Sequence, residues 1–291
     1  MLTAIVPAYL DDCQRRKIIF LTGKGGVGKT TLAWATAEAL RRRGARVAVA
    51  SWNPFEESTP PAGEVAAGIE WLPLDTLSAF RDYILHLLKF EKLYDSVLDN
   101  RVMRAFVLAA PGLSETVIAG KIWDRIEHNR QDVLLVDLPS SGHAVSFFQS
   151  PNGVRQIFPV GFVHRETQKV LEMFKAPWAR VDLVTLPEEL PVIECLELKR
   201  KLEDLCPLNF GYTVVNQLTP DFPLPDERAR RTLPTDASAC LRRHESRRRQ
   251  EEEAVADLAA AALPLVRLPR VDVAHRQQAI TRLADLLGGA G

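Results

Sequence analysis

The feature that most constrains this chain is a run of glycines between an apolar segment and a helix-forming one. Lys17-Ile-Ile-Phe-Leu21 is short and apolar and is bounded by Thr22-Gly23, which reads as a buried strand. Thr30 to Arg43 holds good helix formers, arginines in its last turn and Gly44 as a stop. Ala45 to Ala50 reads as a second strand. Strand, glycine-rich turn, helix and strand make a βαβ unit, so the chain is committed early to an α/β fold.

The turn itself reads Gly23-Lys24-Gly25-Gly26-Val27-Gly28-Lys29-Thr30, followed by Thr31. It satisfies G-x-x-x-x-G-K-[ST], the phosphate-binding P-loop. Glycines let the backbone N–H groups of Gly25, Gly26, Val27 and Gly28 turn toward phosphate oxygens. The helix that starts near Lys29, Thr30 and Thr31 aims its positive end at the same anions. Lys29 is expected on the terminal phosphates, and the Thr30 hydroxyl on Mg²⁺, which takes oxygen ligands. A nucleotidase of this kind also needs an acid at the end of a neighbouring strand to hold the metal through water. Asp137, closing the apolar run Val133 to Val136, is in that place.

The rest of the chain supports an open, mostly parallel sheet with helices on both faces. About 80 residues separate the second strand from Asp132-Val-Leu-Leu-Val-Asp137, more than a plain crossover needs. Within them, Leu77 to Glu127 has helical periodicity (Phe80, Ile84, Leu87, Leu88, Leu93, Val97, Leu98, Val102, Phe106, Val107) interrupted at Pro111-Gly112. It reads as a helical insertion, about residues 75–130, between two core strands; it serves to cover the sheet or to meet an apolar partner. Val181–Thr185, Tyr212–Val215 and Leu265–Leu268 read as further strands. Helices are expected around Glu189–Leu205, Glu245–Ala262 and Ala274–Leu287, the last closed by Gly288-Gly289. Thr219–Asp236, rich in Pro, Asp and Arg, reads as a loop. The arginines and glutamates at 247/251, 248/252 and 249/253 are spaced for i,i+4 pairs on a solvated face. The whole chain, 1–291, reads as one domain, with a basic loop and helix over about 219–262.

Composition excludes several alternatives. With 37 Lys+Arg against 37 Asp+Glu the formal charge is zero, which argues against a polybasic nucleic-acid binder. The first residues carry Asp11 and Asp12 and no basic lead-in, so no secretory signal is expected. No apolar run approaches a membrane span, and Leu258–Val266 is broken by Pro264. A cytoplasmic location follows by default. Cys13, Cys195, Cys206 and Cys240 form no C-x-x-C pair and are expected as free thiols.

Several stretches carry a family resemblance. Lys24 adds a second lysine to the P-loop, which resembles the deviant form found in dimeric ATPases, where that lysine reaches the partner's nucleotide. Asp137-Leu-Pro-Ser-Ser-Gly142-His143 looks like D-T-A-P-T-G-H, the switch II segment of the arsenite-pump ATPase family, which also contains ATPases that deliver tail-anchored membrane proteins. Val184-Thr-Leu-Pro-Glu188 with Glu194, Val214-Val-Asn216-Gln217-Leu218, and Pro111-Gly112 with Glu115 are similar to three more of its motifs. The resemblance runs from about Lys17 to Leu287. It implies an ATP- and Mg²⁺-dependent ATPase that forms a homodimer or pairs with a paralogue, and whose helical subdomain moves with nucleotide state. It further implies that Gly142 offers its N–H to the γ-phosphate and that Asn216 reads the adenine edge. An apolar protein client and peripheral membrane contact are compatible with it; no nucleic-acid partner is expected, given the zero net charge.

Departures from the pattern matter as much. Switch I in the family reads S-T-D-P-A-H or D-T-D-P-A-H; here it is Ser51-Trp52-Asn53-Pro54-Phe55-Glu56. Asn53 therefore stands where an Asp positions the attacking water, and an amide neither takes up a proton nor brings a charge. Slow or partner-dependent hydrolysis is expected unless Glu56 or Glu57 substitutes. Cys240-Leu-Arg-Arg243 stands where the family often has C-x-x-C, so no shared zinc is expected; Cys240 with His244 is the weaker alternative pair. Cys195 and Cys206, on the order of 16 Å apart along one helix at ~1.5 Å per residue, do not make an arsenite site. Met103 is the only methionine of the insertion, unlike the Met-rich grooves of targeting members. A conformational-switch ATPase, a regulatory subunit beside a catalytic paralogue, and an anion-pump or client-targeting ATPase all remain as readings.

Overall fold

Apolar strands with no polar face are expected at the centre of a parallel sheet, and that is where they lie. The computed structural model describes residues 5–52, 67–88, 112–128, 130–260 and 263–289. In chain order these form α1 (Ile5–Gln14), β1 (Ile18–Thr22), α2 (Lys29–Arg42), β2 (Val47–Ser51), β3 (Ile69–Pro73), α3 (Thr76–Leu88) and α4 (Leu113–Glu127). There follow β4 (Val133–Asp137), α5 (Ser141–Ile157), α6 (Phe162–Lys175), β5 (Ala179–Thr185), α7 (Glu189–Leu205) and β6 (Phe210–Leu218). The chain closes with α8 (Glu227–Arg231), α9 (Thr235–Ala259), β7 (Leu265–Pro269) and α10 (Arg276–Gly288). The seven strands form one sheet in the order β3-β2-β4-β1-β5-β6-β7, and every pairing is parallel.

Side chains alternate across a strand, and the alternation builds two cores. Ile18 and Phe20 face one layer, with α3 to α7 and the end of α9; Ile19 and Leu21 face the other, with α1, α2 and α10. Phe20 meets Phe147, Phe148 and Phe174 at ring-centre distances of 5.4 to 5.9 Å. Each such buried ring contributes about 1.5–3 kcal/mol by leaving water, and together they seat α5 and α6 on the central strand.

Four expectations need correction. The stretch between the second strand and β4 is not strand-free: β3 pairs with β2 as an edge strand, Val47 opposite Ile69 through Ser51 opposite Pro73. β3 precedes the residues, about 75–130, expected as the insertion. Its described helices α3 and α4 lie on the sheet, with Phe80, Ile118 and Ile122 in the core; Leu93, Val97, Leu98, Val102, Met103, Phe106, Val107 and Pro111 lie outside the described residues. The expected loop 219–236 contains α8, and the following helix starts at Thr235, ten residues before the sequence reading placed it. The reason is that the first turns of α9 bury no side chain; all its buried residues come at Glu251 or later. Of the three i,i+4 pairs only Arg247–Glu251 forms, while Arg248 pairs with Asp221 and Glu252 with Arg267.

Candidate nucleotide-binding site

The site is built where β1, β4 and β5 end together. Parallel register sets Leu21 opposite Asp137 and Thr22 opposite Leu183, so the loops leaving these strands converge. In an open α/β sheet this crevice beyond the carboxyl ends is where ligands sit.

Two glycines of the loop are demanded by close approach. Gly23 lies against the carbonyl of Val184, and a Cβ there would overlap it. Gly28 caps α2 in the left-handed region (φ 93°), where a Cβ would stand 2.5 Å from Asn216 Nδ2. Val27 is buried and pins the loop from below. The loop feeds directly into α2, whose first turn, Lys29-Thr30-Thr31, carries no acid to spoil the positive helix end.

Lys29 is buried and folds back over the loop, donating from Nζ to the carbonyls of Gly23 (3.1 Å) and Lys24 (2.9 Å). Burial lowers its pKa, and the charge of Asp137 works the other way. Asp137, also buried, has its carboxyl pushed up by burial; the Thr30 hydroxyl, Lys29 and Arg276 pull it back. One Asp137 oxygen, Oδ1, is buried without a hydrogen-bond partner among the described residues. An ammonium, a hydroxyl and an under-satisfied carboxylate oxygen side by side fit a phosphate with a hydrated Mg²⁺. Thr30 and Asp137 are the residues that would hold the metal.

The expected switch II segment lies alongside. Ser140 precedes α5, and its Cβ is 3.9 Å from where a Cβ on Gly25 would be. Gly142 is exposed in the first turn of α5, among the N–H groups that have no acceptor within the helix. Asn216 is buried against the loop: Nδ2 donates to the Val27 carbonyl (2.9 Å) and Oδ1 accepts from Gln217 N–H (3.0 Å). Gln217 takes a left-handed conformation (φ 63°) where the pairing of β6 with β7 shifts register. For a residue other than glycine this is uncommon and concentrates at functional sites.

Lys24 projects from the loop and pairs with Glu194 of α7, its Nζ 3.0 and 2.9 Å from the two carboxylate oxygens. Gly112 caps α4 and Glu115 sits in that helix's first turn. Asn53, Glu56 and Glu57 lie outside the described residues. Sequence reading missed Arg276, at the start of α10, whose charge acts on Asp137; it belongs to no motif, and only the packing of α10 along α2 brings it near. All four cysteines are free, with Cys240 alone exposed. Burial pushes the Cys13 and Cys195 thiols up to about 12 and raises Cys206. The His244 ring lies against Phe222, centroids 4.1 Å apart and tilted by 45°. Among the described residues no group of three or more His, Cys, Asp or Glu is placed to hold a metal ion. No helix among them is long and apolar enough to cross a membrane.

The seven-stranded parallel sheet with its glycine loop between β1 and α2 is the P-loop NTPase form of the α/β class. A model of the anion-transporting ATPase family matches residues 16–59. The chain is similar to ATPase BagA of Mycobacterium tuberculosis, 27% identical over 230 residues, which covers 70% of this chain and 66% of that protein. It is also similar to an arsenical pump-driving ATPase of Escherichia coli (27% over 256 residues, 82% of this chain, 42% of that one). A putative arsenical pump-driving ATPase of Halobacterium salinarum matches at 24% over 242 residues, 74% of this chain and 38% of that one. The match thus spans about two thirds of the mycobacterial relative and about two fifths of the pump-driving ones. The chain is thus similar to ArsA-like proteins of the anion-transporting ATPase family.

Proposed function

We propose that this chain is an ATP-binding, dimer-forming ATPase that works as a nucleotide-dependent conformational switch. The observation that carries the reading is the Lys29–Thr30–Asp137 constellation, with Asp137 Oδ1 buried and unpartnered at the mouth of a P-loop. Lys29 has a third N–H beyond the two it gives to carbonyls, and its ammonium binds anionic phosphate oxygens more strongly than neutral carbonyls. Bound Mg²⁺ supplies charge neutralisation at the phosphates, and Asp137 and Thr30 orient it. Gly25, Gly26, Val27, Gly28 and Thr31 complete the cradle. The second N–H of the Asn216 amide is available to the adenine edge. Gly142 offers its N–H to the terminal phosphate; because α5 is seated through Phe147 and Phe148 on Phe20, a shift there moves the α5–α6 layer as a body.

Asn53 removes the acid expected to position water, so hydrolysis is slow in the isolated chain. The same substitution favours a second reading, a regulatory subunit that pairs with a catalytic paralogue and lends it Lys24 in trans. The pump role printed for the relatives in Escherichia coli and Halobacterium salinarum, and delivery of an apolar client, are alternative tasks for the same switch in the cytoplasm. The reading is tested by ATP turnover of the chain alone and with the product of a neighbouring homologous gene. Turnover that is low alone and rises severalfold with the partner is expected. Typical ATPase rates without a partner would contradict the role given to Asn53.

A further inference from the structure

We propose that Glu194 is a latch on Lys24: an internal carboxylate that holds the loop's second lysine back on its own chain until a second nucleotide-bound chain competes for it. This rests on the trans role proposed for Lys24 and adds a residue and an energetic cost to it.

Lys24 is held at two points. Its side chain sits between both oxygens of Glu194. Its backbone carbonyl accepts from Lys29 Nζ at 2.9 Å. The ligand weakens the second hold, because a phosphate attracts the Lys29 ammonium more strongly than a neutral carbonyl does. The Glu194 contact is then the main restraint on Lys24. That contact is of the kind that yields: both side chains are 43% exposed, and an exposed pair in high dielectric is weak. A triphosphate with Mg²⁺ on a facing chain offers more negative charge than one carboxylate, in a setting from which water is being removed.

The surroundings of Glu194 match a surface that another chain covers. Leu190 and Ile193 lie one turn and one residue before it on the first turns of α7, and they are 67% and 42% exposed. Large apolar side chains flanking an ion pair at the rim of the phosphate loop are wasted in water and useful under a partner. The occupant we assign is a second copy of this chain or a close homologue, approaching with its own P-loop. Glu194 then acts as a positioning residue: it sets the threshold for dimerisation and touches no reacting atom.

The test is sedimentation velocity of the full chain with Mg²⁺ and a non-hydrolysable ATP analogue, comparing wild type, Lys24→Ala, Glu194→Gln, Glu194→Asp and the Lys24→Ala/Glu194→Gln double variant. Releasing one exposed pair is worth about threefold, so a symmetric dimer that breaks two tightens about tenfold in Glu194→Gln. Glu194→Asp stays near wild type, and the double variant behaves as Lys24→Ala, which does not dimerise. If Lys24→Ala dimerises normally, the trans role itself is wrong. If Lys24→Ala loses the dimer but Glu194→Gln is unchanged or weaker than wild type, the trans role stands and the latch is refuted.

Discussion

The two ends of the sheet both bury charge, and they treat it in opposite ways. At the foot, Arg180 of β5 is 1% exposed and Asp182 is completely buried. The guanidinium donates to Asp12 and Asp182 and to Cys13 Sγ, and it lies 5.4 and 5.0 Å from the rings of Tyr9 and Tyr212, which meet each other edge to face at 5.1 Å. Burial works against its charge, but Asp182 and its neighbours outweigh that and hold the pKa above the ordinary arginine value. Gly211 leaves the space in which Arg180 and Asp182 meet. At the head, Lys29 and Asp137 are nearly as dry, yet their partners are two carbonyls, one hydroxyl and, for Asp137 Oδ1, nothing. The foot also leaves Arg180 Nε and the Tyr9 hydroxyl without a partner among the described residues, but it pairs opposite charges directly and so locks α1, β5 and β6 in one arrangement. The head leaves charge under-satisfied, which costs stability and creates affinity for a ligand that carries the missing groups.

Breaking the foot has the largest expected effect on stability. Arg180→Ala leaves Asp182 buried and unpaired, and a loss of about 3–5 kcal/mol is expected from urea unfolding. Replacing Arg180 and Asp182 together by apolar residues of similar volume recovers most of it, because the desolvation cost goes with the pair. At the head the sign reverses. The folded Asp137 carboxyl is raised above its ordinary 3.8, so the native state holds its proton longer than the unfolded one, and ionisation costs stability as pH rises past that value. Asp137→Asn should therefore unfold at an equal or higher temperature than wild type at neutral pH, the difference vanishing in acid, while Mg²⁺-dependent turnover is lost. An Asn variant that melts well below wild type at neutral pH would erase the contrast between the two ends. The smallest effect concerns thiols. One of four should react promptly with a disulfide reagent in the native protein, Cys240, and the buried three only on unfolding.

The same contrast explains what could be read in advance. The head is local in sequence: the P-loop is one contiguous string, Asp137 closes an apolar run, and both fix their geometry within a few residues. The foot gathers residues 9, 12, 13, 180, 182 and 212 from α1, β5 and β6, and no spacing announces it. The edge strand β3 escaped because it is only partly buried, so its apolar signal is weak. The early start of α9 escaped because those turns bury nothing, and periodicity needs a buried face. Lys24 was legible as a second lysine, but its hold on Glu194, 170 residues away, needed the fold.

The central claim is that the under-satisfied head is a nucleotide site, and calorimetric titration of the chain with ATP and Mg²⁺ tests it most directly. One site per chain is expected, weakened by about a hundredfold in Lys29→Ala, which loses charge-assisted bonds worth about 1.5–3 kcal/mol each, and unchanged in a variant at exposed Cys240. No heat of binding in the wild type, or binding that survives Lys29→Ala undiminished, would contradict the account.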